Sequence, residues 1–247
     1  MTPILELQDL SFRYEGGLPG EKVLDALTFA VAPGERVGLV GCNGVGKSTL
    51  LKILVGILPI QAGVLTVGGL PMERKNLAEI RRKVGYIFQD SDSQLFMPTV
   101  RADVAFAAEN YGYPPEEVAV RTRRALAAVH MEHCADRPVY RLSGGQKKLA
   151  SIAGILTLDP ALILMDEPSA ALDPRNRRAL IGILNALPCA KLIASHDLDF
   201  IYDTCDRVLL LHHGQLAADG AVQEILCDKT LLERCELELP LRWQRDF

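Results

Sequence analysis

The chain has 247 residues, 49% hydrophobic and 23% charged, which excludes a disordered, collagenous or coiled-coil protein and leaves room for one large domain, alone or with a small appendage. Its 27 Lys and Arg against 31 Asp and Glu give a net charge of −4, so it lacks the basic surplus of a nucleic-acid binder, and no nucleic-acid partner is expected. No stretch reaches the ~18 uninterrupted apolar residues that span a bilayer. The opening MTPILELQDL has no basic segment ahead of an apolar one, and the six cysteines form no CxxC pair. The expectation is reduced thiols and a membrane role only through a partner.

In chain order, Ile4 to Phe12 alternates like an edge strand, and Val23 to Val31 looks like its partner. Pro33-Gly34-Glu35 signals a turn. Arg36 to Val40 is a short apolar strand that runs into a glycine-rich loop, Gly41 to Gly46, and Lys47 to Ile57 has helical spacing. Gly63 to Gly69 reads as a strand, Asn76 to Val84 as a short basic helix, and Tyr86 to Gln89 as a strand ending in polar residues. Thr99 to Met131 is helical, interrupted at Pro114-Pro115, where Pro115, Glu116 and Glu117 make a good helix start. Gly144-Gly145 opens another apolar helix through about Leu158. There follow a buried strand (Ala161 to Met165), a helix (Pro174 to Leu187), a strand (Lys191 to Ser195) and a short helix (Leu198 to Cys205). A hairpin, Arg207 to Leu211 with Gln215 to Gly220, turns at His213-Gly214. Continuous apolar strands alternating with helices predict an α/β fold with a parallel sheet covered on both faces.

Three motifs carry chemistry. GCNGVGKST, Gly41 to Thr49, fits GxxxxGK[ST] and has a strand before it and a helix after it. Its glycines let backbone N–H groups surround phosphate oxygens, and the helix N-terminus adds partial positive charge. Lys47 would reach the β- and γ-phosphates, and the Ser48 hydroxyl would ligate Mg²⁺. ALILMDEP, Ala161 to Pro168, delivers two adjacent carboxylates at the end of a buried strand. Asp166 would hold Mg²⁺ through water, and Glu167 would polarise the attacking water as general base. LSGGQ, Leu142 to Gln146, sets Ser143, Gly144 and Gly145 at a helix start, a second anion site of the same physical type.

A P-loop, an acidic strand end and LSGGQ in one chain resemble the ATP-binding-cassette (ABC) ATPases, over nearly the whole length from Ile4 to about Gly220. The resemblance implies a P-loop NTPase cassette with a mainly parallel core sheet, an antiparallel β subdomain and a helical subdomain bearing the signature. It would occupy residues 1–220, the helical subdomain about 90–157, with a short helical tail at 221–247. It implies ATP and Mg²⁺ as nucleotide and cofactor, contacted along the loop by Gly41, Asn43, Gly44, Gly46, Lys47, Ser48 and Thr49. Tyr14 would stack on adenine. Gln89 would contact Mg²⁺ and the attacking water, and His196 would hydrogen-bond the γ-phosphate. SAALD, Ser169 to Asp173, would cross a dimer interface. Two copies would face each other head to tail, so that Ser143, Gly144, Gly145 and Gln146 of one close on ATP held by the other.

Spacing narrows the branch. Gln89 and Ser143 are 54 positions apart, too few for a coiled-coil insertion. The chain holds one cassette, and the 51 residues after His196 are too few for a large regulatory domain. FQDSDSQLF, Phe88 to Phe96, followed by TVRADVAFAAENYG, resembles the ATPases of energy-coupling-factor (ECF) importers, with Ser91 in place of the usual proline and Ser93 of the usual second acid. This implies a homodimer, peripheral on the cytoplasmic face of the membrane, contacting a polytopic membrane subunit through the Gln89–Asn110 region, where an amphipathic Thr99 to Asn110 segment would form a groove wall. The expected cargo is cobalt, then nickel. A vitamin importer and a soluble ABC clamp are the rivals. His130, His133 and Cys134 read as helix surface rather than a metal site. Cys42 would abut the nucleotide, so that alkylation would inhibit and ATP would protect.

Overall fold

The structure is a computed structural model and describes residues 2–16 and 22–246. In chain order its elements are β1 (Leu5–Phe12), β2 (Leu24–Val31), β3 (Arg36–Val40), α1 (Lys47–Leu54), β4 (Ala62–Val67), β5 (Leu70–Pro71), α2 (Leu77–Lys83), β6 (Val84–Ile87), α3 (Val100–Asn110), α4 (Pro115–Ala128), α5 (Gly144–Leu156), β7 (Leu162–Asp166), α6 (Pro174–Ala186), β8 (Ala190–Ala194), α7 (Leu198–Thr204), β9 (Arg207–His212), β10 (Gln215–Ala221), α8 (Val222–Cys227) and α9 (Lys229–Arg234).

The core sheet runs β10-β9-β3-β8-β7-β6, parallel from β9 to β6, with β10 antiparallel at its edge. Every residue of β7 and β8 is buried, as unbroken apolar runs require when helices cover both faces. Even Lys191, inside β8, is buried; its ammonium donates to the carbonyls of Leu187 and Cys189 at 2.6 and 2.8 Å. β8 lies between the two strands that end in phosphate-type motifs. Ala194 is level with Leu39 of β3 on one side and with Asp166 of β7 on the other. The loops after β3, β7, β8 and β6 therefore leave the same edge of the sheet, which gathers residues distant in sequence into one place.

A second, antiparallel sheet has the order β2-β1-β4-β5. The expectation that β1 is an edge strand is corrected here, because it sits centrally, with Leu5 opposite both Val31 and Val67. Alternation marks one buried face, not an edge: Leu5, Leu7, Leu10 and Phe12 are buried, and the step from Leu7 to Leu10 is a bulge at Asp9 (φ 50°). α1 is shorter than its periodicity, since Gly56 at φ 67° donates to the Ile53 carbonyl and closes it.

α3, α4 and α5 pack on one another; Val100, Val104, Leu126 and Ile152 join the core below, while Ala105, Ala108 and Val118 form a small cluster of their own with Tyr113. The α3 segment has one buried and one exposed face, and the exposed face carries an aromatic ring. Val100, Val104, Ala105 and Ala108 are buried, but Phe106 is exposed and stacks edge-on against exposed Phe96, with ring centroids 4.7 Å apart. The tail folds back on its own cassette. Leu232 and Cys235 join the core, Trp243 meets Tyr202 of α7 at 4.9 Å, and Arg242 pairs with Asp199 and Asp203 of α7. Phe247 lies outside the described residues.

Candidate functional site

β3 enters the loop 41–46 and α1 leaves it. Gly46 is the N-cap of α1 at φ 108°, a conformation that a side chain would strain, and a Cβ there would meet Leu24 at 2.7 Å. With no side chain capping α1, the N–H groups of its first turn are left for an anion. Lys47 is buried and its ammonium donates to the carbonyls of Gly41 (2.6 Å) and Cys42 (3.0 Å). Burial lowers its pKa, against the opposing pull of Glu167.

This loop opens on a cavity of about 390 Å³ lined by Asn43, Gly44, Gly46, Lys47, Ser48 and Thr49, with Tyr14, Gln89, Glu167 and His196 on its other walls. Tyr14 is 45% exposed, its hydroxyl is 3.0 Å from the Thr49 hydroxyl, and its ring meets Phe12 edge-on with centroids 5.1 Å apart. Gly41 lies beneath the cavity, where its carbonyl receives Lys47.

The two carboxylates behave differently. Asp166 is buried at the end of β7, and its Oδ1 finds no hydrogen-bond partner among the described residues. Burial raises its pKa, the Ser48 hydroxyl beside it acts in the opposite sense, and neighbouring Glu167 raises it further. Burial and this same carboxylate also push the Tyr86 phenol up. A buried, unpartnered oxygen, the Ser48 hydroxyl and the side chain of Gln89 at the same cavity make a hard oxygen set that fits Mg²⁺. Glu167, by contrast, is fully engaged. It sits at φ 46° and accepts from the Ser195 hydroxyl (3.0 Å) and the His196 N–H (3.0 Å), and its Oε2 lies 2.9 Å from His196 Nδ1. Ser195, which the motifs did not single out, also accepts from the Asp197 N–H at 3.1 Å.

The LSGGQ turn lies elsewhere. Ser143 caps α5 reciprocally with Gln146: the Gln146 N–H donates to Ser143 Oγ (3.3 Å) and the Ser143 N–H to Gln146 Oε1 (3.1 Å). A Cβ on Gly144 would meet nothing within 4 Å, whereas one on Gly145 would strike Asn176 at 2.7 Å. Asn176 in turn donates from its Nδ2 to Asp173, the N-cap of α6, at 2.6 Å. The signature and the end of SAALD are thus packed together, but Ser143, Gly144, Gly145, Gln146 and Asp173 do not line the cavity at the P-loop of their own chain.

Two expectations change. Cys42 does not face the nucleotide cavity. Its thiol donates to the Cys235 carbonyl at 3.1 Å and lies against Glu236, beneath the outer side of the loop, so it touches the tail. Burial pushes this thiol up. In the HMEHC segment, His130 and His133 are exposed whereas Cys134 is buried, contrary to a wholly solvated surface, and no cluster of His, Cys, Asp or Glu among the described residues is arranged to hold a metal. No motif marks Lys148: it is buried below the Gln89 loop, and nothing in a basic residue within an apolar helix signals that contact.

Residues 24–170 match the family described as ABC transporter. The chain belongs to the ABC transporter ATP-binding family, a family of ATPases. It is 44% identical to an ABC transporter ATP-binding protein of Geobacter sulfurreducens, the match covering 98% of this chain and 96% of that one. It is 39% identical to the energy-coupling factor transporter ATP-binding protein EcfA2 of Methanospirillum hungatei, over 98% of this chain and 61% of that longer one. Its structure is similar to that of cbiO1 from Clostridium perfringens, described as part of the ABC transporter complex cbiONQ, with a TM-score of 0.84 and 33% identity over 98% and 96% of the two chains. The ABC cassette, with its parallel core sheet, antiparallel sheet and helical layer, is the fold observed, and no helix among the described residues is long and apolar enough to cross a membrane.

Proposed function

We propose that this ABC ATPase is the ATP-hydrolysing subunit of an importer of the ECF type, working as two copies on the cytoplasmic face of a membrane beneath a polytopic subunit. The observation that carries the reading is the separation of the two anion-binding turns. One chain builds a cavity from the P-loop, Gln89, Glu167 and His196, and leaves its Ser143–Gly145 turn outside it. A second copy related head to tail would bring the missing turn to that cavity, so that ATP joins the copies and hydrolysis releases them. In this reading residues 1–220 are the cassette, about 90–157 its signature-bearing layer and 221–247 the tail; the family match at residues 24–170 lies within the first of these.

In this reading the P-loop amides and Lys47 hold the phosphates, and Tyr14 stacks on the base. Ser48, Asp166 and Gln89 would hold Mg²⁺, which when bound offsets phosphate charge. Glu167 accepts a proton from the attacking water once His196 leaves it for the γ-phosphate oxygens. Ser195 keeps the Glu167 carboxylate at the end of β7 throughout. Asp173 and Asn176 hold the signature glycine in place for the partner copy.

The likeness to EcfA2 and cbiO1 supports the ECF branch, and the exposed Phe96–Phe106 pair within residues 89–110 supports that region as the membrane-subunit contact. The proposed cargo is a transition-metal ion, cobalt first and nickel second. Uptake of labelled Co²⁺, Ni²⁺ and biotin in cells with and without this chain tests the cargo. Copurification of a polytopic membrane protein, lost on F96D/F106D, tests the partner; a chain that brings down none would point to the soluble clamp.

A further inference from the structure

β6 ends at Ile87, so the ladder that satisfied its carbonyls stops one residue before the peptide groups on either side of Gln89. Those carbonyls, Phe88 O and Gln89 O, turn away from the sheet towards α5. There a single ammonium receives both: Lys148 Nζ donates to Phe88 O and to Gln89 O, each at 2.8 Å. Lys148 is 3% exposed and lies in the second turn of α5, the helix whose N-cap is Ser143. An ammonium is costly to bury without partners, and an apolar side chain would fill the same space. Burial brings the Lys148 pKa down to about 8, the opposing pulls of Asp90 and Asp166 notwithstanding. The neighbouring Lys147 reaches the same loop three residues beyond Gln89, pairing with Asp92 at 2.5 Å. Asp90 locks the turn between them by accepting from the Asp92 N–H and the Ser93 hydroxyl, each at 2.9 Å.

We propose that Lys148 is a positioning residue for hydrolysis: by clamping both peptide groups of Gln89 to the helix that begins at Ser143, it fixes the Gln89 side chain in the nucleotide cavity and makes the Gln89 loop and the signature turn move as one body. A signature turn shifted by its partner copy then carries Gln89 with it. The same rigidity runs the other way, so a displacement of the Gln89 loop tilts α5 and the serine–glycine turn it presents. A purely structural lysine would satisfy two carbonyls and nothing more. The inference rests on the proposed role of Gln89.

The test is a double-mutant cycle on the full chain, reading steady-state ATP hydrolysis, KM for ATP and melting temperature for the wild type, K148M, K148Q, Q89A and K148M/Q89A. K148M is expected to lower kcat roughly tenfold, the scale of a misplaced reacting group, with KM for ATP within about twofold. K148Q, which keeps an N–H donor, is expected to lie between K148M and the wild type. In the Q89A background K148M is expected to cost nothing further, because the residue it positions is gone. Equal fold-losses in the two backgrounds, or an unchanged kcat in K148M, would overturn the proposal. Should K148M not fold, K148Q and K148Q/Q89A are read by the same criterion. A Q89A variant with wild-type kcat would instead sink the role of Gln89 itself, a result distinct from failure at Lys148.

Discussion

The P-loop cavity and the signature turn are built from the same parts, glycines at the start of a helix, yet they are finished differently. Around the cavity every charged group but one is tied down: Lys47 to two carbonyls, Glu167 to Ser195 and His196. The exception, Asp166 Oδ1, is buried without a partner among the described residues, as expected of an oxygen kept for a cation. The signature turn has no such cage. Among the described residues Ser143 is bonded to its own helix, through Gln146 and Lys147, and a Cβ on Gly144 would meet nothing within 4 Å. In the proposed reading, the difference means that the P-loop cavity grips nucleotide within one chain, whereas the signature turn is left to meet a phosphate held by a second copy.

If that contrast is right, the two regions must fail in different ways when broken. The largest effect is expected inside the cavity. E167Q keeps the shape, and its one amide oxygen can still accept from the Ser195 hydroxyl, but it cannot accept a proton, so kcat should fall by about 10²–10⁴, while ATP affinity by calorimetry changes by less than about threefold. Next comes the signature. S143R should lower kcat by about 10², yet leave ATP affinity of the separate chain as it was, because Ser143 lies outside its own cavity. A loss of affinity in isolated S143R chains would erase the distinction between the regions.

A smaller effect separates stability from binding. Burial raises the folded-state pKa of Asp166, so the native state holds that proton more tightly than the unfolded chain. Its contribution to stability is therefore greatest below the ordinary carboxylate value near 3.8 and declines as pH rises through the raised folded value. At pH 7 D166N removes the buried charge. It should raise the nucleotide-free melting temperature by about 2–4 °C while abolishing the Mg²⁺ dependence of ATP binding; scanning calorimetry and calorimetric titration read the two halves. The smallest effect concerns Cys42. Its thiol is bonded to the tail and its pKa is raised, so its labelling by iodoacetamide should be slow, and saturating ATP should change the rate by less than about twofold. Strong protection by ATP would place the thiol on the wrong side of the loop.

The same contrast explains what the sequence disclosed. β3 ends where expected, at Val40, and the P-loop, the Asp166–Glu167 pair and the LSGGQ cap are local patterns whose geometry follows from a few adjacent residues. What stayed hidden depends on approach between distant segments. The central place of β1 is set by β4, more than 50 residues away. The direction of the Cys42 thiol is set by Cys235, 193 positions on. The grip of Lys148 on Gln89 and the closeness of Asn176 to Gly145 likewise arise only when helices meet loops across the core. The periodicity of α3 marks its buried face, but not that exposed Phe106 stacks on Phe96 instead of facing the core.

The central claim is that nucleotide is held between the P-loop of one copy and the serine–glycine turn of another. Light scattering on E167Q, with saturating ATP and Mg²⁺, tests it most directly. The account predicts twice the mass of one chain for E167Q and the mass of a single chain for E167Q/S143R. A double variant that still pairs, or an E167Q chain that stays single under saturating ATP, would contradict it.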